Sequence, residues 1–256
     1  MRVAIIIPAR LESTRLPGKL LLAETGLPLI CHTVEKAVQI RDMARDVFQE
    51  VVVAADDERI VATVAAFAKR TGMEVRAVMT DPGHQSGSDR IAEVALGLSP
   101  DIDAVLNLQG DEPEVPAESV LNLARFHEQC RADLSTLVYP LRSREERENP
   151  ALVKAVLGVD RRALYFSRAD IPFRRDDGPH SPPSYGHVGI YLYNRTALER
   201  FVALPPGALE QTEKLEQLRA LENGMRIAAQ VMPERPPKGI DTPEDYEAFV
   251  RSRTGR

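Results

Sequence analysis

Through the first half of the chain, short apolar runs alternate with polar loops and with helically spaced apolar positions. Val3-Ala4-Ile5-Ile6-Ile7 is apolar at every position, which suits a strand covered on both faces, as in a parallel sheet. A polar loop at 10–19 follows. Residues 28–42 then carry Ile30, Val34, Ala37 and Val38 near a 3.6-residue period and predict a helix. Val51-Val52-Val53-Ala54 predicts a second buried strand, and Asp56 and Asp57 supply a cap and first-turn charge for a helix over 60–70 that Gly72 ends. A third strand at 73–79, a helix at 88–98, a fourth strand at 104–108 and a helix at 117–130 continue the alternation. This order predicts an α/β fold with a Rossmann-like doubly wound sheet. Ligands of such sheets sit beyond the carboxyl ends of the strands, so the loops at 8–19, 56, 81–87 and 109–113 are expected to converge on one crevice.

The middle of the chain reads differently. Residues 134–141, 153–159 and 186–193 suit longer strands with fewer helices between them, as an antiparallel extension or small subdomain that makes the sheet mixed. Asp160-Arg161-Arg162 fits a turn. The stretch 174–184, rich in Pro, Asp and Gly, is expected to be a mobile loop. A helix at 212–223 closed by Gly224, a late strand at 226–231 and a final helix at 242–251 complete the prediction. The expected organisation is one domain over 1–256, with a nucleotide-binding core from 1–131 and 212–256 and an extension from 132–211.

A length of 256 residues suits one large α/β domain, and 43% hydrophobic with 28% charged residues is ordinary for a globular protein. The net charge of −5 leaves no global positive field for nucleic acid, so an anionic ligand must be held by a local basic cluster. Two cysteines, Cys31 and Cys130, make a disulfide framework unexpected and two free thiols the plain reading. The early apolar run 3–9 contains Pro8 and falls far short of the ~20 residues of a membrane span, so no membrane association is expected and the chain is read as cytoplasmic.

Three segments carry candidate chemistry. In Pro8-Ala9-Arg10-Leu11-Glu12-Ser13-Thr14-Arg15-Leu16-Pro17-Gly18-Lys19, three cations leave one loop directly after the first strand. Arginine forks bind phosphate oxygens in pairs, lysine adds a point charge, and Ser13 and Thr14 add neutral donors; together they suit a triphosphate. The loop is neither a Walker A loop nor a dinucleotide fingerprint, and a merely solvated basic loop is the bland alternative. In Gln109-Gly110-Asp111-Glu112-Pro113, an acid at a strand's carboxyl end is well placed for Mg²⁺, whereas a simple Asx turn is the competing reading. In Gly239-Ile240-Asp241-Thr242-Pro243-Glu244-Asp245, Thr242 to Asp245 form a helix start, leaving Asp241 outside the helix and free for a metal.

The opening motif, His84-Gln85-Ser86-Gly87-Ser88-Asp89-Arg90, the Gln-Gly-Asp-Glu-Pro segment and Gly-Ile-Asp-Thr-Pro-Glu-Asp together resemble the 3-deoxy-manno-octulosonate (Kdo) cytidylyltransferases, within the sugar nucleotidyltransferases. So do Leu164-Tyr165-Phe166-Ser167-Arg168-Ala169, His187-Val188-Gly189-Ile190-Tyr191 and Leu215-Glu216-Gln217-Leu218-Arg219, so the resemblance covers nearly the whole chain in order. The opening motif marks only the wider group, whereas the last three segments are much more specific to the Kdo enzymes. Two departures stand out. Gly186 replaces an arginine of many relatives, and Phe173 replaces a tryptophan.

The resemblance implies a nucleotide-diphospho-sugar transferase fold that transfers CMP from CTP to Kdo for lipopolysaccharide synthesis. It implies Arg10, Ser13, Arg15 and Lys19 as phosphate-side ligands, Ser86, Ser88 and Arg90 on the pyrimidine side, and Gln109 and Asp111 beside nucleotide and sugar. Asp111 and Asp241 would hold Mg²⁺, and Lys19 and Arg15 would stabilise the leaving group. Gln109, Arg168, His187, Tyr191, Glu213 and Gln217 fall on the acceptor-sugar side, with Arg168 facing the sugar carboxylate. Direct attack of the anomeric hydroxyl on the α-phosphorus is expected, without a covalent enzyme intermediate. The resemblance also implies a homodimer through the middle strands, whose extension serves both sugar binding and dimerisation. Rival readings are another acidic acceptor, such as 8-amino-Kdo or sialic acid, and a non-catalytic nucleotide or sugar sensor on the same fold.

Overall fold

The computed structural model describes residues 1–175 and 183–255; residues 176–182 of the segment expected to be a mobile loop lie outside the described residues. The chain divides into two compact units, one from Met1–Leu121 and Pro236–Arg256, the other from Asn122–Arg235.

The first unit is built on four parallel strands, β1 (Val3–Ala9), β2 (Phe48–Ala55), β3 (Arg76–Met79) and β4 (Ala104–Asn107), in the order β3-β2-β1-β4. Every residue of β1 is buried, as its unbroken apolar run predicts. Ile5 lies between Val51 of β2 and Leu106 of β4. Burying side chains of this size contributes about 1.5–3 kcal/mol each. The strands are joined through helices α1 (Leu29–Met43), α2 (Glu58–Thr71) and α3 (Gly87–Leu96), and α4 (Ala117–Cys130) follows β4. Sequence chemistry sets these helix ends. The Asp57 side chain accepts from the Arg59 amide at the start of α2, and Ile60, Val64 and Phe67 are its buried stripe. Ser86 and Asp89 form a capping box at α3.

Because the chain runs from β1 outward to β2 and β3 and then returns to β4 on the other side of β1, strand order reverses between β1 and β4. That is the topological switch point at which open α/β sheets bind ligands. The final helix, here labelled α9 (Pro243–Thr254), belongs to this unit and starts as expected, with Thr242 as cap, Pro243 in the first turn and Asp245 completing a capping box.

The second unit contains β5 (Leu134–Pro140), α5 (Arg144–Glu148), β6 (Lys154–Leu157), β7 (Ala163–Ser167), β8 (Tyr185–Asn194), α6 (Arg195–Ala203), α7 (Ala208–Glu213), α8 (Gln217–Glu222) and β9 (Ile227–Val231). β8 pairs antiparallel with β5 and β6, and β6 pairs antiparallel with β7. β9 pairs with β5 in parallel, so this unit is itself mixed rather than purely antiparallel.

Two expectations are corrected here. Residues 122–131 and 212–235, expected in the core, cluster with the second unit, the latter because β9 hydrogen-bonds along β5. The helix expected over 212–223 is two helices, α7 and α8, separated at Lys214, which adopts φ 55°. A break in that conformation needs an external cause, and it is described below. Both cysteines are free, and among the described residues no helix is long and apolar enough to cross a membrane.

Candidate active site

A cavity of about 340 Å³ opens at the β1/β4 switch point, lined by the loop that leaves β1 and by the loop that leaves β4. Arg10, Ser13, Arg15, Lys19, Gln109, Asp111 and Asp241, all expected from sequence, line it, together with Glu12 and Thr14. All of these residues belong to the first unit. Gly18 takes φ 66° directly before a 3₁₀ turn (Lys19–Leu21), a conformation glycine adopts without strain. That turn carries Lys19 into the cavity.

Lys19 is the centre of the polar network. Its Nζ donates to an Asp111 carboxylate oxygen, to Asp241 Oδ1 at 3.0 Å and to the Ile240 carbonyl at 2.9 Å. Burial opposes its charge, but the Asp111 and Asp241 carboxylates outweigh that and raise its pKa above the usual lysine value. Arg15 pairs with the same Asp241 oxygen at 2.9 Å. The Ile240 amide donates to the Asp111 carbonyl at 2.9 Å, so the two acid-bearing loops are also joined through their backbones. Burial, with Asp111 and Asp241 adding to it, pushes the neighbouring Glu112 carboxyl up to about 8. Among the described residues Arg10 is exposed and has no hydrogen-bond or ion-pair partner, leaving its guanidinium available to an anion.

The Asp111 and Asp241 carboxylates converge on a point already held by a cation, the Lys19 ammonium. Among the described residues no group of three or more His, Cys, Asp or Glu side chains is placed to hold a metal ion. Two carboxylates on one cavity fit a hard divalent ion, which prefers oxygen ligands and completes its shell with water.

Thr33 and Asp56 hold this site in shape; sequence patterns do not mark Thr33, whereas position 56 was expected at the crevice. Thr33 of α1, fully buried, donates its hydroxyl to the Gly110 carbonyl at 2.8 Å. A side chain at Gly110 would come within 3.1 Å of the Pro8 carbonyl, so this residue keeps the two loops in close approach. Asp56, at the end of β2, accepts from the Leu11 amide at 2.9 Å and faces Arg90 at 3.5 Å.

That pairing bears on the expected pyrimidine-side set, which the structure does not bring into the cavity. Arg90 is fully buried, with Nη1 on Thr80 Oγ1 at 2.5 Å, and burial lowers its pKa. It acts on the cationic loop through Asp56. Ser86 is spent as the cap of α3, and Ser88 is buried. Of this segment only Gly87 lines the cavity.

The expected acceptor-side residues other than Gln109 all lie in the second unit. His187 Nε2 lies 3.0 Å from Thr136 Oγ1, which also contacts the carbonyls of Ile190 at 2.8 Å and Val188 at 3.0 Å. The Thr136 hydroxyl has one proton for those carbonyls, so His187 must donate, placing its proton on Nε2. Thr136 thereby fills the register shift where β8 bulges against β5. Burial depresses the His187 pKa to about 3. The ring packs at 5.0 Å from Phe166 and 5.3 Å from Tyr191. Tyr191 and Tyr193 are both buried, so neither faces solvent.

Among the described residues Tyr191 Oη and Gln217 Nε2 are buried without a hydrogen-bond partner. Such atoms cost about 1–3 kcal/mol each unless a ligand or water satisfies them. Glu213 accepts from Ser167 Oγ at 2.6 Å and from the Arg168 amide at 2.9 Å. Arg168 Nε donates to the Glu213 carbonyl at 2.9 Å, Nη1 to Pro150 O at 3.1 Å and Nη2 to Lys214 O at 3.4 Å. This grip on the carbonyls of Glu213 and Lys214 is what divides α7 from α8.

Comparison with known proteins places these features in context. A family model described as Cytidylyltransferase matches residues 4–227. A 3-deoxy-manno-octulosonate cytidylyltransferase of Bradyrhizobium sp. (strain ORS 278) is 46% identical over 98% of this chain and 96% of its own. Its counterpart in Syntrophobacter fumaroxidans is 44% identical over 98% of this chain and 96% of its own. Among solved structures, a CMP:2-keto-3-deoxy-manno-octonic acid synthetase complexed with CTP matches with a TM-score of 0.89 at 36% identity, covering 100% of this chain and 99% of that one.

Proposed function

This chain belongs to the 3-deoxy-manno-octulosonate cytidylyltransferase family, and from that premise we infer that it transfers CMP from CTP to the anomeric hydroxyl of Kdo, releasing pyrophosphate. The observation that carries this reading on the chain itself is the convergence of Arg10, Arg15, Lys19, Asp111 and Asp241 on one cavity at the switch point. In the reaction the anomeric oxygen bonds to the α-phosphorus, its proton is lost, and the bond to the pyrophosphate oxygen breaks.

The chain's own residues bind and orient. Arg10, unpartnered among the described residues, meets the triphosphate, and Arg15 and Lys19 stabilise charge developing on the leaving group. Asp111 and Asp241 would hold Mg²⁺, and when bound it would supply charge neutralisation for the phosphates and a lower pKa for the attacking hydroxyl. On the acceptor side, sugar hydroxyls would satisfy Tyr191 Oη and Gln217 Nε2. After its three carbonyl bonds, Arg168 retains two N–H groups for a carboxylate. His187 presents its Nδ1 lone pair as an acceptor. Ser13, Gln109 and Glu213 complete the set, Glu213 by holding Arg168.

A homodimer through the middle strands is part of the same proposal, supported by the exposed apolar side chains of Val159, Leu164 and Phe173 in the second unit. So are a cytoplasmic location and a place in lipopolysaccharide synthesis. A screen of the four nucleoside triphosphates against Kdo, 8-amino-Kdo and sialic acid tests the assignment. Turnover confined to CTP with Kdo supports it, turnover with another acidic sugar moves the acceptor, and CTP binding without turnover on any acceptor supports a sensor instead.

A further inference from the structure

Lys154 is fully buried at the start of β6, in a position where strand patterning calls for an apolar residue. Among the described residues its ammonium has no carboxylate in hydrogen-bonding contact. Instead it donates to three backbone carbonyls, those of Asn149 at 2.8 Å, Leu152 at 2.6 Å and Arg168 at 2.5 Å. Three donors meet three acceptors, so the cage is matched to a protonated lysine. The charged groups around it are Asp170, Arg168 and Glu213; burial, with the Arg168 charge, lowers its pKa while the two acids oppose that.

The partners are not a random set. Two of the carbonyls, Asn149 and Leu152, belong to the turn that the Asn149 side chain also fastens by accepting from the Ala151 amide at 2.9 Å. The carbonyl between them, Pro150, is the one that receives Arg168 Nη1. The third carbonyl is that of Arg168 itself, whose amide is held from the other side by Glu213. Lys154 therefore fixes both the backbone that carries the Arg168 side chain and the turn against which its guanidinium rests.

We propose that Lys154 is a positioning residue for the acceptor site, locking Arg168 to the 149–152 turn so that its free N–H groups meet the acceptor's carboxylate in one orientation. This rests on the reading above that Arg168 faces that carboxylate. A residue that merely staples the fold would lower stability and disturb both substrates alike. A residue that acts through Arg168 separates them.

The test is steady-state pyrophosphate release with CTP and Kdo varied in turn, for the wild type, Lys154→Met, Arg168→Ala and the double variant. Lys154→Met is expected to raise KM for Kdo roughly tenfold and to leave KM for CTP within about twofold. In the Arg168→Ala background the same change should add less than about twofold, because the residue it positions is gone. Should Lys154→Met fail to fold, Lys154→Gln, whose amide keeps two donors for the cage, carries the same comparison. An unchanged Kdo KM in a folded variant, an equal rise in both KM values, or full additivity in the double variant would overturn the proposal. A wild type that releases no pyrophosphate with Kdo would instead defeat the functional reading on which it rests.

Discussion

Lys19 Nζ sits 3.0 Å from Asp241 Oδ1 while also donating to Asp111, so one ammonium joins two acidic loops far apart in sequence. All three of its N–H groups are spent on Asp111, Asp241 and Ile240. Removing it leaves two carboxylates facing one another and takes a cation from the cavity proposed to hold the triphosphate. Lys19→Met is expected to lower kcat about 10²–10³-fold, in the range seen when one stabilising group is removed from a reaction centre. Circular dichroism should show the fold retained. A loss under about fivefold would mean that the lysine serves the loops alone.

Asp56 links buried Arg90 to the cationic loop through the Leu11 amide. Asp56→Asn keeps an acceptor for Leu11 but leaves Arg90 without its counter-charge, so stability should fall by about 1–3 kcal/mol with KM for CTP little changed. Asp56→Ala removes the loop's anchor as well and should raise KM for CTP roughly tenfold. Urea denaturation alongside steady-state kinetics separates the two effects, and identical kinetics for both variants would contradict the anchoring role.

At Gly186, where the resemblance implies arginine, the structure supplies a reason for glycine. Gly186 pairs across the strands with Tyr139, and a Cβ there would fall 2.4 Å from the Tyr139 ring. The buried ring occupies the space a side chain would need. Gly186→Ala is expected to cost about 1–3 kcal/mol, read from the urea midpoint, and Tyr139→Ala in the same chain should recover part of that loss.

His187 is held neutral by burial, with a folded pKa of about 3 against roughly 6.5 when unfolded. Between those values the unfolded chain binds the extra proton, so the contribution of this site to stability is present above about pH 6.5 and is lost as pH falls toward the folded pKa. Denaturation midpoints of wild type and His187→Gln, compared from roughly pH 7 to 4, should show the wild type losing more. Parallel profiles would contradict the buried-neutral assignment.

The first unit was legible because its signals are local. The run at Val3–Ala9, the Asp57 cap and the Thr-Pro-Glu-Asp helix start each fix their own element. Where the loops converge follows from strand order, which the alternating pattern implies. The second unit depends on distant partners. The segment around Lys214 has no Gly or Pro and reads as one helix, yet Arg168, far away in sequence, takes its carbonyls and breaks it. β7 carries its burial irregularly, and α6 buries only Ala197, Leu198 and Phe201, so neither shows a clean period. Arg90 was expected on the pyrimidine side from its motif. Only the fold shows that its guanidinium points to Thr80 and Asp56. Thr33 carries no sequence signal at all, since a hydroxyl on a buried helix face looks like a small core residue.

The most direct test of the account is pyrophosphate release from purified protein mixed with CTP, Kdo and Mg²⁺, with each component omitted in turn. The account predicts release only when all three are present, and its loss in Asp111→Ala of intact fold. Release without Kdo, or unchanged release by Asp111→Ala, would contradict it.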